Sequence, residues 1–121
     1  MRSERIFLDV NVPMYAGGQT HPYQEACAWV MAEIAQERIP AVIDTEIIQE
    51  ILCCYGALDR FQVAITMSAS LLNLVSTVCS VSTADIRLTL QLFHRYAPQG
   101  VNTRDLIHVA VMRNNSITEI I

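Results

Sequence analysis

The chain has 121 residues, 52% of them apolar and 17% charged, and a formal charge of −4 at neutral pH. That length suits one domain with its own core. The high apolar share suggests strands buried on both faces, a subunit interface, or both. All eight basic residues are arginine; without a lysine, a P-loop ATPase is excluded and a phosphate-accepting receiver domain is disfavoured. The acidic balance argues against strong non-specific nucleic-acid binding but leaves room for a local arginine patch.

No stretch approaches the roughly 18–20 uncharged apolar residues of a membrane helix. The N-terminus, MRSERIFLDV, has too short an apolar run for a secretory signal. The expectation is a cytoplasmic protein with no membrane partner. Cys27, Cys53, Cys54 and Cys79 lack zinc-site spacing. They read as small buried apolar residues in a reducing compartment.

In chain order, Ile6 to Asp9 is the first strand candidate, and Pro13 and Gly17-Gly18 punctuate a loop after it. A helix is expected from Thr20 or His21, with Pro22 in its first turn. Cys27, Val30, Met31 and Ile34 form its inward face, and Pro40 stops it. "AVI" (41–43) is a second strand, and Asp44 caps the helix after it. Ile47, Ile48, Ile51, Leu52 and Tyr55 are that helix's apolar stripe, with Gly56 as its stop. A further helix is expected from about Asp59 to Leu72, then a β-branched strand in "LVSTVCSV" (74–81). Ser82 or Thr83 opens the next helix, which ends before Pro98, and Asn102 or Thr103 opens the last one. "SITEII" closes the chain as a strand. The order β-α-β-α-α-β-α-α-β predicts a single three-layer α/β/α domain around a central parallel sheet.

In such sheets, ligands sit at the carboxyl ends of the strands. Asp9 stands at the end of a strand expected to be central, although a turn formed by Asp9 and Asn11 explains it about equally well. Asp105 falls in the first turn of its helix, where the dipole and a capping pair with Asn102 also account for it. Glu50 lies on the flank of an apolar stripe, and Glu46 points further from it. Asp85 is explained by its helix dipole, Asp44 as a cap, and Arg104 as solvated. Carboxylates converging at one end of a sheet repel unless a cation joins them. Hard oxygen donors suit Mg²⁺ or Mn²⁺, which can polarise a phosphodiester and activate a water.

The chain resembles the PIN domain family, and within it the VapC-like toxin ribonucleases, over nearly its whole length. "IFLDVNVPMYA" resembles the family's opening strand running into D-x-N-x-x-x-Y. "HPY" before a helix, the glutamate-bearing "EIIQEILCCYG" and the late "NTRDLIHVAVMRNN" follow in the family's order. The resemblance implies Asp9, Glu50 and Asp105 as catalytic metal ligands for Mg²⁺ or Mn²⁺, with Asn11 and Thr103 as polar support. It also implies metal-dependent endonucleolytic cleavage of single-stranded RNA or structured RNA loops, a homodimer, and an antitoxin protein that blocks the site. The family's last strand is followed by a further aspartate segment of the type T-x-D-x-x-F. The sequence stops at Ile121, so the chain is expected to be one PIN-like domain shortened at its C-terminus. The rival expectation is a catalytically impaired PIN-like interaction or dimerisation module.

Overall fold

Short apolar strands that read as unbroken hydrophobic runs belong where helices cover both sheet faces, and β2 (Ala41–Asp44) shows this in full, all four of its residues being buried. The structure, a computed structural model, describes residues 4–18 and 20–121. The signal-peptide reading touches residues 1–3, which lie outside them. β1 (Ile6–Phe7), β2, β3 (Thr77–Cys79) and β4 (Glu119–Ile120) form a parallel sheet in the order β3-β2-β1-β4. β1 is therefore interior, as expected. Its ladder runs past its formal end: Leu8 N–H donates to the Val42 carbonyl at 2.9 Å, and Asp9 N–H donates to the Ile121 carbonyl at 3.0 Å.

The helices are α1 (Asn11–Gly17), α2 (Gln24–Ala35), α3 (Thr45–Ala57), α4 (Phe61–Leu74), α5 (Thr83–Tyr96) and α6 (Thr103–Asn114). Phe7, Leu8, Val42, Ile43, Ile47, Ile51 and Val111 are fully buried between them and the sheet. Leu92, Leu106 and Ala110 form a smaller cluster where α5 meets α6. Among the described residues no helix is long and apolar enough to cross a membrane.

The predicted layers and strands are present, with local corrections. The expected loop after β1 contains α1: Pro13 is the third residue of that helix, where a missing N–H costs nothing. Gly18 follows its end; a Cβ there would lie 2.5 Å from the Met14 carbonyl oxygen. The next helix starts at Gln24, so Pro22 precedes it. The delay has a local cause: Tyr23 N–H donates to His21 Nδ1 at 3.1 Å, and the His21 ring stacks on Tyr15 at 3.9 Å. Gly56 does not stop α3; the reversal comes at Asp59, at φ 55°. The cysteine reading holds for buried Cys79 only in part of the set, since Cys27 is half-buried and Cys53 and Cys54 are exposed. The last two lie off the Ile47–Ile51–Tyr55 stripe that α3 buries.

Candidate active site

The carboxyl ends of β1 and β2 carry the first two acids of the site. Ile6 pairs with Ala41 and Phe7 with Val42. Continuing that register brings Asp9 level with Asp44 on strands ~5 Å apart. Asp9 is half-buried and forms the anticipated turn, its Oδ2 accepting the Asn11 N–H at 3.2 Å. Its Oδ1 accepts no hydrogen bond from the described residues. Asn11 is exposed.

Asp44 is fully buried and caps α3 as expected, its Oδ1 accepting the Ile47 N–H at 3.1 Å. Its other oxygen does something the sequence reading missed. Asp44 Oδ2 lies 2.7 Å from Nδ1 of His108, a 6%-exposed residue of α6. His108 Nε2 meets Oε1 of Glu50 on α3. The imidazole thus bridges a carboxylate at a strand end and a carboxylate on a helix flank. Its face packs on Phe7 of β1, with ring centroids 5.4 Å apart.

Burial pushes the His108 pKa down, but the hydrogen bond and charge of Asp44, then those of Glu50, raise it to about 9. The ring is therefore an imidazolium at neutral pH, donating to both carboxylates. Glu46, half-buried one turn before Glu50, feels the same group. Burial raises its pKa, as do the charges of Asp44 and Glu50, against opposition from His108 and Arg104. Glu46 and Arg104, discounted from the sequence, belong to this electrostatic neighbourhood.

Asp105 is exposed in the first turn of α6, where its N–H donates to Asn102 Oδ1 at 2.9 Å. This is the capping pair expected from the sequence. Asp105 stands three residues before His108, one turn away on the same helix face. Thr103, also exposed, opens the helix. Asp9, Glu50 and Asp105 are thus attached to elements that meet around His108. Among the described residues no three His, Cys, Asp or Glu side chains form a ready metal cage. Mg²⁺ ordinarily takes one or two carboxylates and fills its shell with water and phosphate oxygens. The donors here are all oxygens, and Oδ1 of Asp9 and Oε2 of Glu50 accept no hydrogen bond from the described residues, which fits that open kind of site.

The layering, the parallel sheet and the acids at its carboxyl end define a PIN-like α/β/α domain. No family model matches the chain. Over 115 residues it is 28% identical to ribonuclease VapC13 of Mycobacterium tuberculosis, covering 95% of this chain and 86% of that one. It is 29% identical to ribonuclease VapC23 of the same organism, covering 95% and 89%. The crystal structure of Mycobacterium tuberculosis VapC20, described as a sarcin-ricin loop cleaving toxin, matches with a TM-score of 0.79 over 95% of this chain and 86% of that one. Sequence identity to VapC20 is 16%, so that match concerns the fold. The chain is thus similar along nearly its whole length to VapC ribonucleases, and it shares the fold of VapC20.

Proposed function

We propose that this chain is an endoribonuclease that cuts single-stranded RNA, or the loops of a structured RNA, with Mg²⁺ or Mn²⁺, and that it is the toxin of a toxin–antitoxin pair. The observation that carries this reading is Asp9: a half-buried carboxylate at the end of an interior strand, with one oxygen unclaimed by the described residues. Full-length similarity to proteins named VapC ribonucleases supports it.

In this reading Asp9, Glu50 and Asp105 hold the ion, and Asn11 and Thr103 give polar support. When bound, the ion supplies Lewis-acid polarisation of a phosphodiester and a hydroxide nucleophile near neutral pH. The chain's own residues do the rest. The Asn11 N–H fixes one oxygen of Asp9. Exposed Arg104, close enough to lower the Glu46 pKa, offers a guanidinium to an RNA phosphate.

Two protein partners belong to the proposal, an antitoxin and a second copy of the chain. An open groove of about 540 Å³ lined by Pro13, Ala16, Met31, Val63, Met67 and Leu71 supports a protein partner. The same groove favours the second reading, a non-catalytic PIN-like interaction or dimerisation module. Cleavage of a stem-loop RNA with Mn²⁺, against EDTA and Asp9→Asn, separates the two. A nuclease loses cleavage in both controls while Asp9→Asn stays folded. Cleavage that persists in Asp9→Asn sinks the assignment of Asp9, and a wild-type chain that neither binds Mn²⁺ nor cuts RNA favours the module.

A further inference from the structure

A glutamate on a helix flank has three side-chain torsions to lose before it can serve a site, and their loss opposes binding. Glu50 has that freedom removed by its contact with His108. The ring itself is fixed from two directions. Asp44 Oδ2 takes Nδ1 at 2.7 Å, and Phe7 of β1 packs on the ring. Asp44 is fixed in turn, fully buried, with its second oxygen capping α3 at 3.1 Å. A connected path therefore runs from the end of β2, through α6, to the carboxylate on α3. Its last link takes one oxygen of Glu50 and leaves Oε2 without a hydrogen bond from the described residues.

We propose that His108 is a positioning residue for Glu50: held in register by Asp44, its Nε2 fixes Oε1 so that Oε2 serves the site. This rests on the reading of Glu50 as a site carboxylate. The competing role is purely structural, with His108 present only to satisfy the buried charge of Asp44. The two roles use different ring nitrogens, and this makes them separable. The amide nitrogen of glutamine falls near Nε2 of a histidine, and that of asparagine near Nδ1. His108→Gln therefore keeps a donor for Glu50 and gives up the one for Asp44, while His108→Asn does the reverse.

The experiment is titration of the RNA-free protein with Mn²⁺, followed by the electron paramagnetic resonance of the free ion, with Glu50→Gln as the reference. Partners that orient a ligand from outside the coordination shell are worth ~10–100-fold in metal affinity. His108→Asn is expected to weaken Mn²⁺ binding by about tenfold or more, and His108→Gln to recover most of that loss. On a stem-loop RNA, His108→Asn should lower kcat and leave KM unchanged. Thermal unfolding supplies the structural ranking, which should run the other way, with His108→Asn the more stable of the two. Mn²⁺ affinity that follows stability overturns the proposal, as does equal binding by both variants. Should His108→Asn fail to fold, Asp44→Ser replaces it, keeping a capping oxygen while leaving Nδ1 of the ring without its partner; unchanged Mn²⁺ affinity there also overturns the proposal. If Glu50→Gln binds Mn²⁺ like the wild type, the assignment of Glu50 itself has failed. If Glu50→Gln loses Mn²⁺ and His108→Asn does not, only the positioning role has failed.

Discussion

Asp44 and His108 stand 64 positions apart in the chain and meet at 2.7 Å in a site where the aspartate is fully buried. The pair ties the end of β2 to the middle of α6. It has a consequence in alkaline solution. The His108 pKa of about 9 in the folded chain exceeds the ordinary value of 6.5. A histidine raised in this way adds stability that is complete below its unfolded pKa and disappears as pH rises through the folded one. Stability should therefore fall between about pH 6.5 and pH 9, by at most ~3 kcal/mol. Urea unfolding across that range should show the fall in the wild type and a flatter profile in His108→Gln. An equally steep fall in the variant would assign the pH dependence to another group.

Asp85 makes the opposite prediction in acid. It is 2% exposed, and its Oδ2 accepts from the Ser82 N–H at 2.8 Å and the Ser82 hydroxyl at 2.9 Å. Its Oδ1 accepts from Asn114 Nδ2 at 2.8 Å, which ties the start of α5 to the end of α6. Burial raises its pKa, but the Ser82 backbone, Asn114 and the Ser82 hydroxyl outweigh that and hold it below the usual 3.8. The stability it adds is present above about pH 4 and is lost as pH falls through the lower folded value. Asp85→Asn should cost ~1–3 kcal/mol at pH 7. The gap from wild type should narrow in unfolding curves taken below pH 4.

The same two acids show what was legible in the sequence and what was not. Asp44 and Asp85 both read as helix-start residues, and both are, because a capping side chain acts within three residues of its own position. Their second partners, His108 and Asn114, lie 64 and 29 positions away, and no local pattern announces them. His108 sits in a helix whose apolar positions alone predict its buried face, so nothing marked it as more than a core residue. The short helix α1 was hidden for a different reason. Seven residues are too few for a periodic stripe, and Pro13 with Gly17 and Gly18 carries the signals of a loop. The parallel sheet was legible because parallel strands need crossovers and the helical segments supply them, whereas the strand order beyond an interior β1 was not.

Ile51, next to Glu50 in α3, is fully buried in the main core. Truncation to alanine there removes contacts to the sheet and leaves a cavity. Ile51→Ala should lose ~2–5 kcal/mol of unfolding free energy. Leu52→Ala, at a position that is 45% exposed one residue on, should lose far less. Denaturant titration of both distinguishes burial from helix propensity, since the two substitutions change propensity in the same direction. Comparable losses at 51 and 52 would mean that the Leu52 face is covered in solution, as a dimer would cover it.

Arg104 tests how an acidic chain holds RNA. If the chain binds RNA as proposed, its net charge of −4, with arginine as its only strong base, leaves the phosphates to a few local guanidinium groups. Arg104 stands in the first turn of α6 beside Asp105 and lies near enough to Glu46 to stabilise its charge. If it contacts one phosphate, its loss removes about one released counterion. Arg104→Gln should then weaken binding of a stem-loop RNA at low salt and reduce the slope of log affinity against log salt by ~1. The RNA is best presented in Ca²⁺ or without divalent ions, so that binding is read apart from cleavage. A slope unchanged from the wild type would place Arg104 outside the RNA path, leaving Arg60, Arg87, Arg95 and Arg113 as the arginines to test next.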